Sequence, residues 1–186
     1  MAQFSVLSRI ARMFLIAKGG VVWDSDLEFL EEHLTLIDTQ LDKIYRKAED
    51  SPDPDSFGIF DTAESVTGLG FVACQRYLTA TYGCARINKK SALARGLRHS
   101  SGMTILQIIN HAANFWKHED DWRLKKNSKN EIRTRAALKK VGFSTKRPYV
   151  LTNILAEIAP SKSAQFRTLI PILEAWREEL RKYVSS

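Results

Sequence analysis

The 186-residue chain is poor in cysteine, proline and long apolar runs, and each shortage excludes something. Two cysteines, Cys74 and Cys84, are too few for a disulfide framework and form no C-x-x-C, so a reducing, cytoplasmic setting is expected. No apolar run approaches the roughly 18 residues that cross a bilayer, and no membrane association is expected. Neither a G-x-G-x-x-G or P-loop pattern nor a G-x-S-x-G elbow occurs, which removes the commonest phosphate-cradling loops and the serine-hydrolase nucleophile. Acid is also missing where it would balance charge. Residues 71–116 hold six Arg or Lys and no Asp or Glu, and residues 123–147 hold ten basic residues against Glu131 alone.

The net charge of +7 therefore hides a division. Residues 1–70 carry 6 basic and 13 acidic side chains, whereas residues 71–186 carry 22 basic and 8 acidic. Such asymmetry fits a polyanionic partner for the second part, or two parts that attract each other across an interface. The apolar content of 44% and charged content of 26% are those of an ordinary globular domain, long enough to bury a core without staples.

The apolar spacing reads as helix throughout, with no period-two strand and no internal repeat. Val6, Leu7, Ile10, Ala11, Phe14 and Leu15 recur at helical intervals before Gly19-Gly20. Residues 1–23 also carry Arg9, Arg12 and Lys18 without an acid, a composition shared with presequences; the spacing favours a first amphipathic helix. Ser25-x-x-Glu28 forms a capping box, followed by a seam of Leu27, Leu30, Leu34, Ile37, Leu41 and Ile44. That seam within residues 27–44 could pack internally, or could pair with a protein partner or a second copy. Pro52 and Pro54 place a loop at 50–58. Asp61-x-x-Glu64 opens a third helix to about Tyr82, in which Gly68 and Gly70 suggest a close helix crossing. Further helices are expected over Ser91–Arg98, over Ile105–Trp116 behind Thr104, after the Ser128-x-x-Glu131 box, and over Thr152–Ala159. A last helix opens at Ser161 and is kinked by Pro171. The expectation is one all-α domain over 1–186, a bundle of about six to eight helices. Its acidic helical hairpin, 1–50, is joined through the loop to a basic part, 59–186.

The helix over 105–116 carries the densest chemistry. It is mostly apolar, yet Gln107, His111, Asn114 and His118 recur in steps of four, three and four and share one face. This is either a solvated stripe or the lining of a cleft, with His118, His111 and Asn114 as candidate catalytic groups. Seven residues separate the two histidines, about 10 Å along a helix, so one metal bridging both is not expected, and no cofactor is implied. The candidate nucleic-acid contacts are Lys117, Arg123, Lys125, Lys126, Lys129, Arg133, Lys139 and Lys140, with Arg95 and Arg98 from the preceding segment. Arg and Lys neutralise phosphates, and the neighbouring Trp116, Trp122, Phe143 and Tyr149 are rings on which unpaired bases stack.

The run from Asn110-His111 through Asn114 to Lys117-His118 resembles the active-site helix of the HEPN superfamily, whose pattern is Arg, a polar residue, four to six residues, then His. In that resemblance His111 is the polar residue, His118 the histidine, and Asn110 stands where the family has arginine. The resemblance implies a small helical domain of bacterial toxin or antiphage assemblies. It is either a metal-independent endoribonuclease, with His118 deprotonating a ribose 2′-hydroxyl, or a binding or scaffolding module. Binding of RNA or single-stranded nucleic acid through the basic part leads, with RNA cleavage, as the resemblance implies it, and pure protein binding as alternatives.

Overall fold

The computed structural model describes residues 15–16, 22–124, 128–160 and 163–185. Among them it shows α1 (Ser25–Glu49), α2 (Ile59–Ala85), α3 (Lys89–Leu93), α4 (Ile105–Leu124), α5 (Lys129–Lys140), α6 (Val150–Ile158) and α7 (Ile170–Ser185). A 3-10 helix, Phe166–Leu169, leads into α7. The fold is all-α. Two two-residue strands, β1 (Leu15–Ile16) and β2 (Val22–Trp23), pair antiparallel ahead of α1. The first helix expected over 6–15 lies outside the described residues except for Leu15, which sits in β1 rather than in a helix.

Helix α1 starts one residue earlier than its sequence box implies. Asp24 is the N-cap, its Oδ1 accepting the Leu27 N–H at 3.0 Å. A tertiary contact favours the carboxylate over Ser25: Asp24 Oδ2 also accepts from the Tyr77 hydroxyl at 2.9 Å and from Arg177 Nη1 at 3.1 Å. The helix lays Leu27, Leu30, Leu34, Leu41 and Ile44 into the core. Ile37 is only partly buried, and the buried residue at that level is Asp38. Its two oxygens accept from the backbone N–H groups of Phe166 (2.7 Å) and Arg167 (2.9 Å), capping the 3-10 helix. The seam is therefore spent inside this chain, and the large apolar side chains that residues 27–44 leave exposed are Phe29 and Leu36.

Helix α2 is the hub, packed against α1, α4, α6 and α7. Its buried positions spread over about half of its circumference, a face broad enough to meet several helices at once. Gly68 and Gly70 permit the closest approaches. A Cβ at Gly68 would fall 2.0 Å from Trp116 Cδ1, and one at Gly70 would fall 2.3 Å from Phe166 Cε2. Asp61-x-x-Glu64 is not this helix's cap, since Gly58 takes that position with φ +65°. Glu64 instead caps α6: its carboxylate accepts from the N–H groups of Leu151 (2.6 Å) and Thr152 (2.9 Å). Pro171 kinks nothing, because α7 begins at Ile170 and leaves the proline in the first turn, where its missing N–H costs no bond. The buried residues from Leu27 to Leu180 form one cluster. No described helix is long and apolar enough to cross a membrane.

Candidate functional site

A cleft of about 450 Å³ opens between α3, α4 and α5. Its floor is the polar stripe of α4: Gln107, Asn110, His111, Asn114 and His118, ending on Trp122. Lys89, Lys90 and Leu93 of α3 form one wall, and Asn130, Arg133 and Thr134 of α5 form the other. The four-three-four spacing on an otherwise buried helix thus reflects a lined cleft.

Each wall is held by local chemistry. Asn88 caps α3 by accepting the Ser91 N–H at 2.9 Å. The chain then folds back so that His99 N–H donates to the Met103 carbonyl at 2.8 Å, and the Thr104 hydroxyl donates to the Leu93 carbonyl. Thr104 and Gln107 form a reciprocal capping box at the start of α4, with Thr104 N–H on Gln107 Oε1 (3.0 Å) and Gln107 N–H on Thr104 Oγ1 (3.2 Å). Gln107 therefore has a structural duty at the cleft's edge. Ser128 caps α5 through the Glu131 N–H at 3.1 Å. Arg135 secures that helix to α4, pairing with Glu131 at 3.0 Å while its guanidinium lies 5.9 Å from the rings of Phe115 and Trp122.

Behind the floor lies a buried amide, Gln75 of α2. Its Nε2 donates to the Asn110 carbonyl (3.2 Å), Asn110 Oδ1 (2.9 Å) and Asn114 Oδ1 (2.9 Å). Its Oε1 accepts from Lys117 Nζ at 2.6 Å. Asn110, where the HEPN pattern has arginine, is buried and tied into this amide network.

The electrostatics are one-sided. Among the described residues, the lining holds Lys89, Lys90 and Arg133 and no carboxylate. Burial, then Arg133 and Lys89, push His111 down from 6.5 to about 4, so its imidazole is neutral at neutral pH. Its Nδ1 stands 3.4 Å from the Thr134 hydroxyl. Partial burial and then Arg133 lower Lys89, and partial burial and then Lys89 lower Lys117. These groups feel one another, and no carboxylate lines the cleft beside them. His118 sits at the mouth, Nδ1 3.6 Å from Asp121 Oδ2, with its ring 6.0 Å from that of Trp122.

Of the sequence candidates, His111, Asn114, His118 and Arg133 meet in the cleft, and Lys117 reaches its underside. Arg123 is spent within α4 on Glu119 (2.9 Å) and Asp120 (3.5 Å). Arg95 and Arg98 do not line the cleft. Arg95 pairs with Glu179 at 3.7 Å and covers the Tyr183 ring, and Arg98 donates to the Gly102 carbonyl at 2.9 Å. Lys129, Lys139 and Lys140 are exposed on α5, while Lys125 and Lys126 lie outside the described residues. Of the candidate stacking rings only Trp122 borders the cleft; Trp116 is packed against Gly68 and Tyr149 against Phe60. Sequence reasoning missed Lys89, Lys90 and Gln75. The lysines follow the Asn88 cap in the acid-free stretch, and Gln75 is the single amide in a largely apolar helix, so both left a signal. Among the described residues no group of three or more His, Cys, Asp or Glu could hold a metal ion. Comparison with family models, with curated proteins and with solved structures gives no match to this chain.

Proposed function

We propose that this chain binds RNA or single-stranded nucleic acid, with a backbone phosphate seated in the cleft between α3, α4 and α5. The observation that carries the reading is an acid-free lining onto which Lys89, Lys90 and Arg133 converge from two helices. Lys129, Arg133 and Lys140 follow one another at spacings of four and seven on α5, so they share a helix face that continues the positive track beyond the cleft. A cytoplasmic setting within a bacterial toxin or antiphage assembly, implied by the HEPN resemblance, belongs to the same proposal.

The test is binding of a fluorescent single-stranded RNA as salt is raised. Replacing Lys89, Lys90 and Arg133 together by Ser is expected to weaken binding to unrelated sequences alike. The salt slope should flatten by about two units, since each neutralised phosphate in a single strand contributes about 0.7. Arg95→Ser, on a side chain committed to Glu179, serves as the control that changes neither. Unaltered affinity in the triple variant refutes the site.

The pairing of His118 with Asp121 at the cleft mouth favours a second reading, metal-independent RNA cleavage. In it the carboxylate steadies the imidazole that takes the 2′-hydroxyl proton, and cleft cations stabilise the phosphorane charge. RNA cleavage that persists in EDTA and disappears in His118→Ala is expected from this reading. Intact RNA under both conditions leaves binding alone.

A further inference from the structure

We infer that Gln75 is a positioning residue that sets the polarity of the cleft floor, turning Asn110 and Asn114 to present their amide donors to a phosphoryl oxyanion. This rests on the reading of the cleft as a phosphate site. A carboxamide presents one acceptor and one NH₂, and nothing in its shape decides which faces a ligand. Here the decision is made from behind. Gln75 Nε2 engages the oxygens of both Asn110 and Asn114 at 2.9 Å, so those oxygens face α2 and the two Nδ2 groups are left for the cleft that both residues line. Gln75 itself cannot turn over, because its Oε1 is held by Lys117 Nζ at 2.6 Å, and an ammonium group has no lone pair to offer a flipped NH₂. Lysine 117 thus fixes Gln75, and Gln75 fixes both asparagines.

The consequence is a lining in which the charged side chains and both inner amides donate. A phosphoryl group, which offers acceptors on all its unesterified oxygens, satisfies such a lining. A ligand that presents donors, such as the exocyclic amine of a base, leaves them unpaired and is disfavoured. Gln75 lies on α2, is buried, and does not itself line the cleft. Its role is carried wholly by the groups it orients.

The experiment titrates the ¹⁵N-labelled full chain with inorganic phosphate and follows the side-chain NH₂ resonances of Asn110 and Asn114. In the unaltered protein both pairs are expected to shift together along one saturation curve. Gln75→Glu keeps the shape but can donate nothing, so the asparagines turn their oxygens outward. Loss of both NH₂ responses is expected, with affinity down about tenfold or more. Gln75→Met adds no charge and separates this effect from simple repulsion; it too should uncouple the two resonances. Should either Gln75 variant fold poorly, Asn114→Asp, on a half-buried residue, places a carboxylate where the donor stood and should abolish phosphate binding with the fold retained. Full affinity in Gln75→Glu, or saturation of the unaltered protein without movement of the two NH₂ pairs, overturns the assignment to Gln75 while leaving the cleft as a binding site. Absence of phosphate and RNA binding by the unaltered chain overturns the cleft reading and this one with it.

Discussion

His111 makes the cleft acid-sensitive, and the size of the effect follows from its surroundings. Its ordinary value of 6.5 is pushed down to about 4, first by burial and then by Arg133 and Lys89. A histidine whose folded pKa lies below its unfolded one binds a proton more readily in the unfolded chain. Its contribution to stability is therefore intact above pH 6.5, falls as the pH drops below that, and is fully lost near pH 4. At about 1.36 kcal/mol per pH unit the full span is worth about 3.4 kcal/mol, and screening in an open cleft reduces it to about 2 kcal/mol. The measurement is urea unfolding of the parent and of His111→Gln at pH 7.5 and pH 4.5. Carboxylates titrate in both proteins, so the difference between their acid losses isolates the imidazole. The parent should lose about 2 kcal/mol more than the variant. Bound RNA, whose diesters remain anionic over this range, offsets Arg133 and Lys89 and should shrink that excess. Parallel losses in the two proteins, within about 0.5 kcal/mol, would refute the desolvated position of His111 and with it the crowding of cations around it.

Other expectations concern the scaffold. Gly70→Ala should lower stability by about 2 kcal/mol, because overpacking against the fully buried Phe166 ring outweighs the helix-propensity gain of about 1 kcal/mol. Gly83→Ala, in the same helix but with nothing within 4 Å of its new methyl, should raise the melting temperature slightly; equal signs for the two would contradict the crossing at Gly70. Asp38→Ala should cost about 3 kcal/mol by stranding the Phe166 and Arg167 N–H groups, while exposed Glu49→Ala should be nearly neutral in the same chemical melt.

The local features of this fold were legible in the chain. A capping box acts over three residues, and an apolar seam repeats within one helix, so Ser128 with Glu131, Thr104 before α4, and the leucines of α1 identify themselves without any partner in view. The same holds for the four-residue stripe of α4, whose polarity in an apolar helix marks a face that leads somewhere other than the core. Where sequence reasoning failed, a distant group had outbid a near one. Asp24 took the cap from Ser25 because Tyr77 and Arg177 needed its carboxylate, and Glu64 left its own helix to cap α6.

Charge shows the division most clearly. The acid-free stretch 71–116 and the basic run 123–147 are plain in the sequence, but which cations stay uncompensated is not. Arg123 is neutralised by acids on its own helix and Arg95 by one on α7, whereas Lys89, Lys90 and Arg133 are brought face to face by the packing of α3 and α5 on α4. Helix start, period and overall sign are set by interactions that reach one turn along the chain. The field in the cleft is a sum over side chains, Lys89, Lys90 and Arg133 among them, that only the folded core makes neighbours.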